Sequence, residues 1–204
     1  VPVFAVYSTF LQRSYDMLLH DVSLQNLHVV LGVDRAGLVG EDGETHQGLF
    51  DVSYLDSIPN MTVLAPASYA ELDEMLGRAV CRMDGPVAVR YPRGGQGEYS
   101  GCAGEEPASL LMSGSDLTLV GYGVGINQVL EAARLLAGQG VRAEVVKLNQ
   151  ITPLVPDLVL SSVRKTGRMV VAEECAASGC VGMRLEAALQ GAGISARCAL
   201  IHCG

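Results

Sequence analysis

Two consecutive three-layer α/β domains with mostly parallel sheets are predicted for this 204-residue chain, and three observations predict them. Short apolar runs rich in valine, too short for helices, alternate with stretches whose apolar residues return every three or four positions. Hydrophobic residues make up 49% of the chain against 18% charged, which suits strands covered on both faces. A glycine-rich stretch without sustained period, GGQGEYSGCAGEEPASLLMSG at 94–114, divides the alternation in two as a linker does. The expected division is a first domain over 1–95, a linker over 96–114 and a second domain over 115–204.

The elements follow in order. The run at 3–7, VFAVY, reads as a buried parallel strand. Leu11, Tyr15, Leu18, Leu19 and Val22 then recur at helical spacing, before HVVLGVD at 28–34 resumes the strand pattern. A polar loop comes next. MTVLAP at 61–66 is a strand, Ser68 with Glu71 forms an S-x-x-E capping box that starts a helix to about Cys81, and PVAVRYP at 86–92 is a strand. Beyond the linker come strand patterns at 116–123, 142–148, 168–174 and 196–202, with helices expected at 127–137, 156–164 and 183–190. Such alternation favours a parallel sheet with binding loops at the carboxyl ends of its strands. The chain opens as VPVFAVYSTF, without methionine and already inside a strand. It is therefore read as a fragment lacking upstream partner strands, and apolar strands at a cut edge lead to the expectation of a dimer.

A net charge of −8 and a pI near 4.9 argue against a nucleic-acid module, so any anion site is local. No apolar run reaches the length of a membrane span and no signal peptide is evident, which makes the cytoplasm the expected compartment, with no membrane partner. The six cysteines contain no C-x-x-C pair and read as reduced thiols. Cys175 and Cys180, with Cys198, His202 and Cys203, are poorly spaced for a zinc knuckle, and no metal site is expected.

The loop DRAGLVGEDGETHQGLFD at 34–51 concentrates glycines and carboxylates around one arginine and one histidine. Its glycines permit positive φ and close backbone approach to a ligand, while Asp42 and His46 are a potential acceptor and proton carrier. A solvated connection is the competing reading. His20 and His28 read as ordinary, partly exposed histidines. GYGVG at 121–125 reads as a tight strand-to-helix turn, with an anion role at the helix start as the alternative.

YSTFLQR at 7–13, the loop at 34–51, VLAPAS at 63–68 and VRYPRG at 89–94 occur in order, and together they resemble successive signatures of the 1-deoxy-D-xylulose-5-phosphate synthase family of the transketolase superfamily. The stretch from TLVGYG to VVAEE, 118–174, is similar to that family's carboxyl-terminal domain. The resemblance implies an N-terminally truncated pyrimidine-binding domain followed by the transketolase C-terminal domain. It implies thiamine diphosphate with Mg2+ in the full-length enzyme, with pyruvate and glyceraldehyde 3-phosphate as substrates.

Residue by residue, the resemblance puts Phe10 against the aminopyrimidine ring and Arg13 in the same pocket. Tyr7 is placed to meet the acceptor phosphate, and Arg35 and Arg93 to clamp it. His46 and Asp42 would serve acid/base assistance and orientation. The competing readings are core packing for Phe10, salt bridges for the arginines and a structural role for His46. The glutamate that activates the cofactor, and the metal and diphosphate site, lie upstream in the family, so the chain alone is expected to be inactive without the missing N-terminal domain. ASGCVG at 177–182 departs from the family's glycine pair. The alternatives are another transketolase-like subunit or a non-catalytic dimerisation module.

Overall fold

The computed structural model describes residues 1–102 and 104–203. In chain order the first part holds β1 (Val3–Tyr7), α1 (Ser8–Leu11), β2 (Val30–Asp34), α2 (Asp51–Asp56), β3 (Thr62–Leu64), α3 (Tyr69–Cys81) and β4 (Val87–Arg90). The second holds β5 (Ala108–Met112), β6 (Leu117–Tyr122), α4 (Ile126–Gly138), β7 (Ala143–Leu148), β8 (Gln150–Thr152), α5 (Asp157–Thr166), β9 (Arg168–Ala172), α6 (Val181–Gly191) and β10 (Arg197–Ile201). Two five-stranded sheets result, ordered β1-β2-β4-β3-β8 and β10-β9-β6-β7-β5. They are parallel except where β8 joins β3 and β5 joins β7.

The helices between strands cover the sheets, and the central strands are buried along their length except for Asp34 at the end of β2, as their valine-rich runs dictate. One apolar cluster runs through both sheets, joining Leu31, Val33 and Val63 to Val146, Leu148 and Val171. β8 makes the junction literal: it belongs to the second half of the chain yet completes the first sheet, with Val63 opposite Thr152. Residues 108–112, inside the stretch read above as linker, form β5 at the edge of the second sheet.

Three local expectations are corrected. β1 is a parallel strand but not a buried one: it is the edge of its sheet, and Val3 and Phe4 are exposed. The single helix expected after it is broken into α1, a 3-10 turn at Gln12–Ser14 and a π-helical stretch at Met17–Ser23. Of the apolar residues at helical spacing, Leu11 and Leu18 are buried, whereas Tyr15, Leu19 and Val22 are half-buried. The capping box is only half made. The Ser68 hydroxyl accepts from the Glu71 amide at 3.1 Å, but the Glu71 carboxylate does not return to Ser68.

That carboxylate is instead fully buried with Lys147, whose Nζ lies 2.9 Å from Oε2. It also accepts from the Ala67 amide at 2.7 Å and the Tyr99 hydroxyl at 2.8 Å. Lys147 further donates to Asn149, which bonds the Glu106 carbonyl and the Ser109 hydroxyl. Burial pulls the Lys147 ammonium pKa down, and Glu71 only partly restores it. One ion pair therefore ties α3, β7 and the crossing segment between the domains.

Removing one partner strands a buried charge, at a cost of about 3–5 kcal/mol. Lys147→Met should lower unfolding stability by that amount in urea titration, and Glu71→Leu combined with Lys147→Met should recover most of it. A single variant within about 1 kcal/mol of wild type would contradict the ion-pair account. A second pair gives a pH test. Burial pushes the Glu144 carboxyl up, but the Lys165 ammonium and the Gly114 amide more than offset this and hold it below the ordinary glutamate range. Its stabilisation is complete above the ordinary glutamate pKa and is lost as pH falls through the lowered one. Glu144→Gln should therefore reduce Tm at neutral pH and converge with wild type in strong acid.

Candidate functional site

Parallel register sets a row of strand ends. Tyr7 pairs with Asp34 across β1 and β2, and Val33 pairs with Arg90 across β2 and β4. Arg35, the first residue past β2, takes a positive φ of 55°. Its amide donates to Asp34 Oδ1 at 2.7 Å, Nη1 to Asp34 Oδ2 at 2.7 Å and Nε to Asp42 Oδ2 at 2.6 Å. The guanidinium carbon sits 3.7 Å above the centre of the Tyr7 ring, a cation–π contact. Burial lowers the Arg35 pKa, yet the Asp42 bond and the neighbouring carboxylates raise it further, and the group stays charged.

Arg93 approaches from beyond β4. Its Nη1 donates to Asp42 Oδ1 at 2.6 Å and its Nη2 lies 2.9 Å from Glu41 Oε2. Asp42 thus bridges two guanidinium groups, one per carboxylate oxygen. Both arginines are salt-bridge partners, and together they clamp the Asp42 carboxylate between two guanidinium groups.

An aromatic cluster adjoins the clamp. The Tyr7 and Phe10 rings stack at 5.4 Å with a 13° tilt, and His46 meets Phe10 edge-on at 5.1 Å and 83°. Arg13 lies 5.7 Å from the Phe10 ring centre. Phe10 is 39% exposed, so it is not core packing. The Thr45 hydroxyl lies 2.7 Å from His46 Nδ1, and Thr9 Oγ1 donates to the Thr45 carbonyl at 3.2 Å. The seven side chains that the sequence offers as site candidates (Tyr7, Phe10, Arg13, Arg35, Asp42, His46 and Arg93) therefore fall in one connected set.

The loop carrying Asp42 and His46 is closed on itself. Gly37 and Gly48 exchange backbone hydrogen bonds of 2.8 Å in each direction. Inside the closure the Gln47 amide accepts from the Val39 N–H at 2.7 Å and donates to the Val39 carbonyl at 2.8 Å and the Gly43 carbonyl at 2.7 Å. Gly48 has no room for a side chain, because an added Cβ would strike the Arg35 carbonyl.

Asp34, Thr45 and Gln47 are parts of the set that sequence reasoning left without a role, although all three lie in the quoted motifs. Arg90 is separate from the clamp: it is buried against Asp51, with Nε 2.7 Å from Oδ2. A cavity of about 330 Å³ opens beside the clamp, bounded by Arg35 and Arg93 together with Leu72, Tyr91, Gln96 and Val124. Tyr7, Phe10 and His46 do not line it. The GYGVG turn is a 3-10 turn at Gly123–Gly125 leading into α4. Among the described residues no group of three or more His, Cys, Asp or Glu could hold a metal ion, and no helix is long and apolar enough to cross a membrane.

Residues 1–96 match the family model for the transketolase pyrimidine-binding domain, and residues 107–202 match that for the transketolase C-terminal domain. The chain is 45% identical over 194 residues to a 1-deoxy-D-xylulose-5-phosphate synthase of Crocosphaera subtropica, covering 92% of this chain and 30% of the relative. It is 45% identical over 204 residues to that of Symbiobacterium thermophilum, covering 96% of this chain and 31% of the relative. The chain thus spans about a third of the length of the curated relatives it matches. A solved structure described as a split gene transketolase, an inactive beta4 tetramer, superposes with a TM-score of 0.91 at 27% identity, covering 100% of this chain and 67% of that one.

Asp42 holds one N–H of each guanidinium group, so an anion offered to the pair would have to compete with it. Asp42→Ala should bind inorganic phosphate several-fold more tightly than wild type in calorimetric titration, since both guanidinium groups then lose the carboxylate they share and keep only Asp34 and Glu41. Equal or weaker binding would mean that Asp42 organises the arginines rather than competing for them.

Proposed function

Since the chain belongs to the transketolase family through both of its domains, we propose that it is part of a synthase condensing pyruvate with D-glyceraldehyde 3-phosphate to 1-deoxy-D-xylulose 5-phosphate and CO2. The observation that carries this reading is the convergence of Arg35 and Arg93 on a single carboxylate, beside the exposed Phe10 ring. A triose phosphate presents an anion of matching chemistry to such a pair.

The family implies dependence on thiamine diphosphate, which supplies the electron sink for decarboxylation when bound. The residues fit part of that cofactor. Phe10 offers an accessible flat face to an aminopyrimidine, with Arg13 at its edge. No partner for the diphosphate or for Mg2+ is assigned among the described residues, so both fall to the segments that the longer relatives carry. Arg35 and Arg93 bind the acceptor phosphate as Asp42 swings away, and Tyr7 braces Arg35 from below. His46, oriented by Thr45, moves a proton at the acceptor carbonyl oxygen, an imidazole being suited to that near neutral pH. The freed Asp42 accepts from an acceptor hydroxyl.

On this reading the chain alone is catalytically inactive and acts as a homodimer, with the exposed apolar residues of β1 near the association surface. A second reading is favoured by the likeness to a split gene transketolase: the chain as one subunit of a split enzyme acting on another phosphorylated acceptor. Product analysis with the complementary segment added separates the two, since transfer of a two-carbon ketol unit alone would remove the synthase reading.

Calorimetry with glyceraldehyde 3-phosphate tests the clamp directly. Wild type should bind weakly, and Arg35→Ala should weaken binding about tenfold through loss of a charge-assisted hydrogen-bonding partner. Indistinguishable affinities, or no binding by wild type, would favour a non-catalytic assembly module.

A further inference from the structure

Two consecutive glutamates follow β9, and they do different work. Glu173 is buried and closes the start of α6: its carboxylate accepts from the Val181 amide at 3.0 Å, the Gly182 amide at 2.8 Å and the Tyr122 hydroxyl at 2.9 Å. All of those partners lie in the second domain. Glu174 reaches into the first. Its Oε2 accepts from the Leu38 amide at 3.3 Å, and its carbonyl accepts from Arg90 Nη2 at 3.4 Å.

The residues after Glu174 continue along the base of the loop. The Ala176 amide donates to the Leu49 carbonyl at 2.8 Å. Gly179 packs against Ser53 so closely that an added Cβ would collide with the Ser53 hydroxyl. The segment at 174–179 therefore touches the loop on both sides of its closure. At the near side the fit is tightest: Gly37 has a φ of +84°, and a Cβ there would run into the Glu174 carboxylate. Gly37 in turn is the residue that pairs with Gly48.

From these contacts we propose that Glu174 is a positioning residue. Its carboxylate latches the Gly37–Gly48 closure, and so sets where the loop presents Asp42 and His46 to Arg35, Arg93 and Phe10. The second domain thereby enters the site without touching its ligand. Three links carry the effect: the Glu174 carboxylate fixes the Leu38 amide, the Leu38 amide fixes Gly37, and the paired glycines fix both ends of the loop. Neither the closure by Gln47 nor the Thr45–His46 contact can do this, because both lie inside the loop and move with it. The consequence for the anion clamp rests on the phosphate reading above, whereas the latch itself does not.

Amide hydrogen exchange and calorimetry on the 204-residue chain test the latch with two variants. Glu174→Ala should raise exchange at Leu38 and Gly48 by about tenfold or more, the loss expected from a hydrogen bond to a charged acceptor. Strand amides such as Val89 and Val120 should keep their protection. Glyceraldehyde 3-phosphate affinity should fall several-fold. Glu174→Gln, which retains a carbonyl acceptor, should restore both quantities to within about twofold of wild type. Unchanged exchange at Leu38 and Gly48 in the alanine variant would overturn the latch. So would a glutamine variant as disturbed as the alanine one, or a loss of strand protection equal to that of the loop. If wild type bound no phosphate ester, the proposed function would fall while the exchange data still decided the latch.

Discussion

Parallel pairing of β1, β2 and β4 brings Tyr7, Asp34 and Arg90 to one edge, and each contact of the site hangs on that row. A slip of one residue in a parallel register turns every side chain to the other face of the sheet. Tyr7 would then no longer lie under Arg35, and Asp34 would no longer hold the Arg35 amide and Nη1. The buried valines of β2 and β4 exclude such a slip between those two strands, because it would move them out of the core. The site's geometry is thus inherited from apolar burial that has no chemistry of its own.

Burial of charge plays the complementary part. Lys147 and Glu71 are removed from water entirely, as are Arg90 and Asp51 almost so. Each pair joins segments distant in sequence, and each would be costly with one member missing. Glu71–Lys147 ties the two domains directly, whereas Arg90–Asp51 lies within the first and meets the second through the Glu174 carbonyl. Arg90 has Asp51 and the Gly48 carbonyl on one side and the Glu174 carbonyl on the other.

Periodicity made the regular elements legible because long amphipathic or fully apolar runs announce their burial. α3, α4 and α5 fall close to where helical spacing places them. What it concealed were short elements whose stability is tertiary: α2 has barely more than one turn, and β8 has only Gln150, Ile151 and Thr152, held by pairing with β3. In the site, the motif residues were legible as types, and the structure collects them. Their partners were not, since nothing local in EDGETHQG says that Asp42 faces two arginines or that Gln47 folds back on Val39. Glu174 was the least legible, standing more than a hundred residues from the loop it holds.

Asp42 also gives the clamp a thermodynamic character of its own. A site whose two cations already share a carboxylate is never bare, so on the proposed reading an entering anion has to displace a tethered side chain instead of settling into an empty cradle. Because Asp42 is tethered to the chain, the displaced carboxylate stays close by together with Asp34 and Glu41, and the charge of an entering anion adds to theirs, a repulsion that salt screens. On that reading the shared carboxylate also weakens the general attraction of the two arginines for passing phosphates. Selectivity then belongs to anions that offer the displaced carboxylate, as well as the arginines, something to bind.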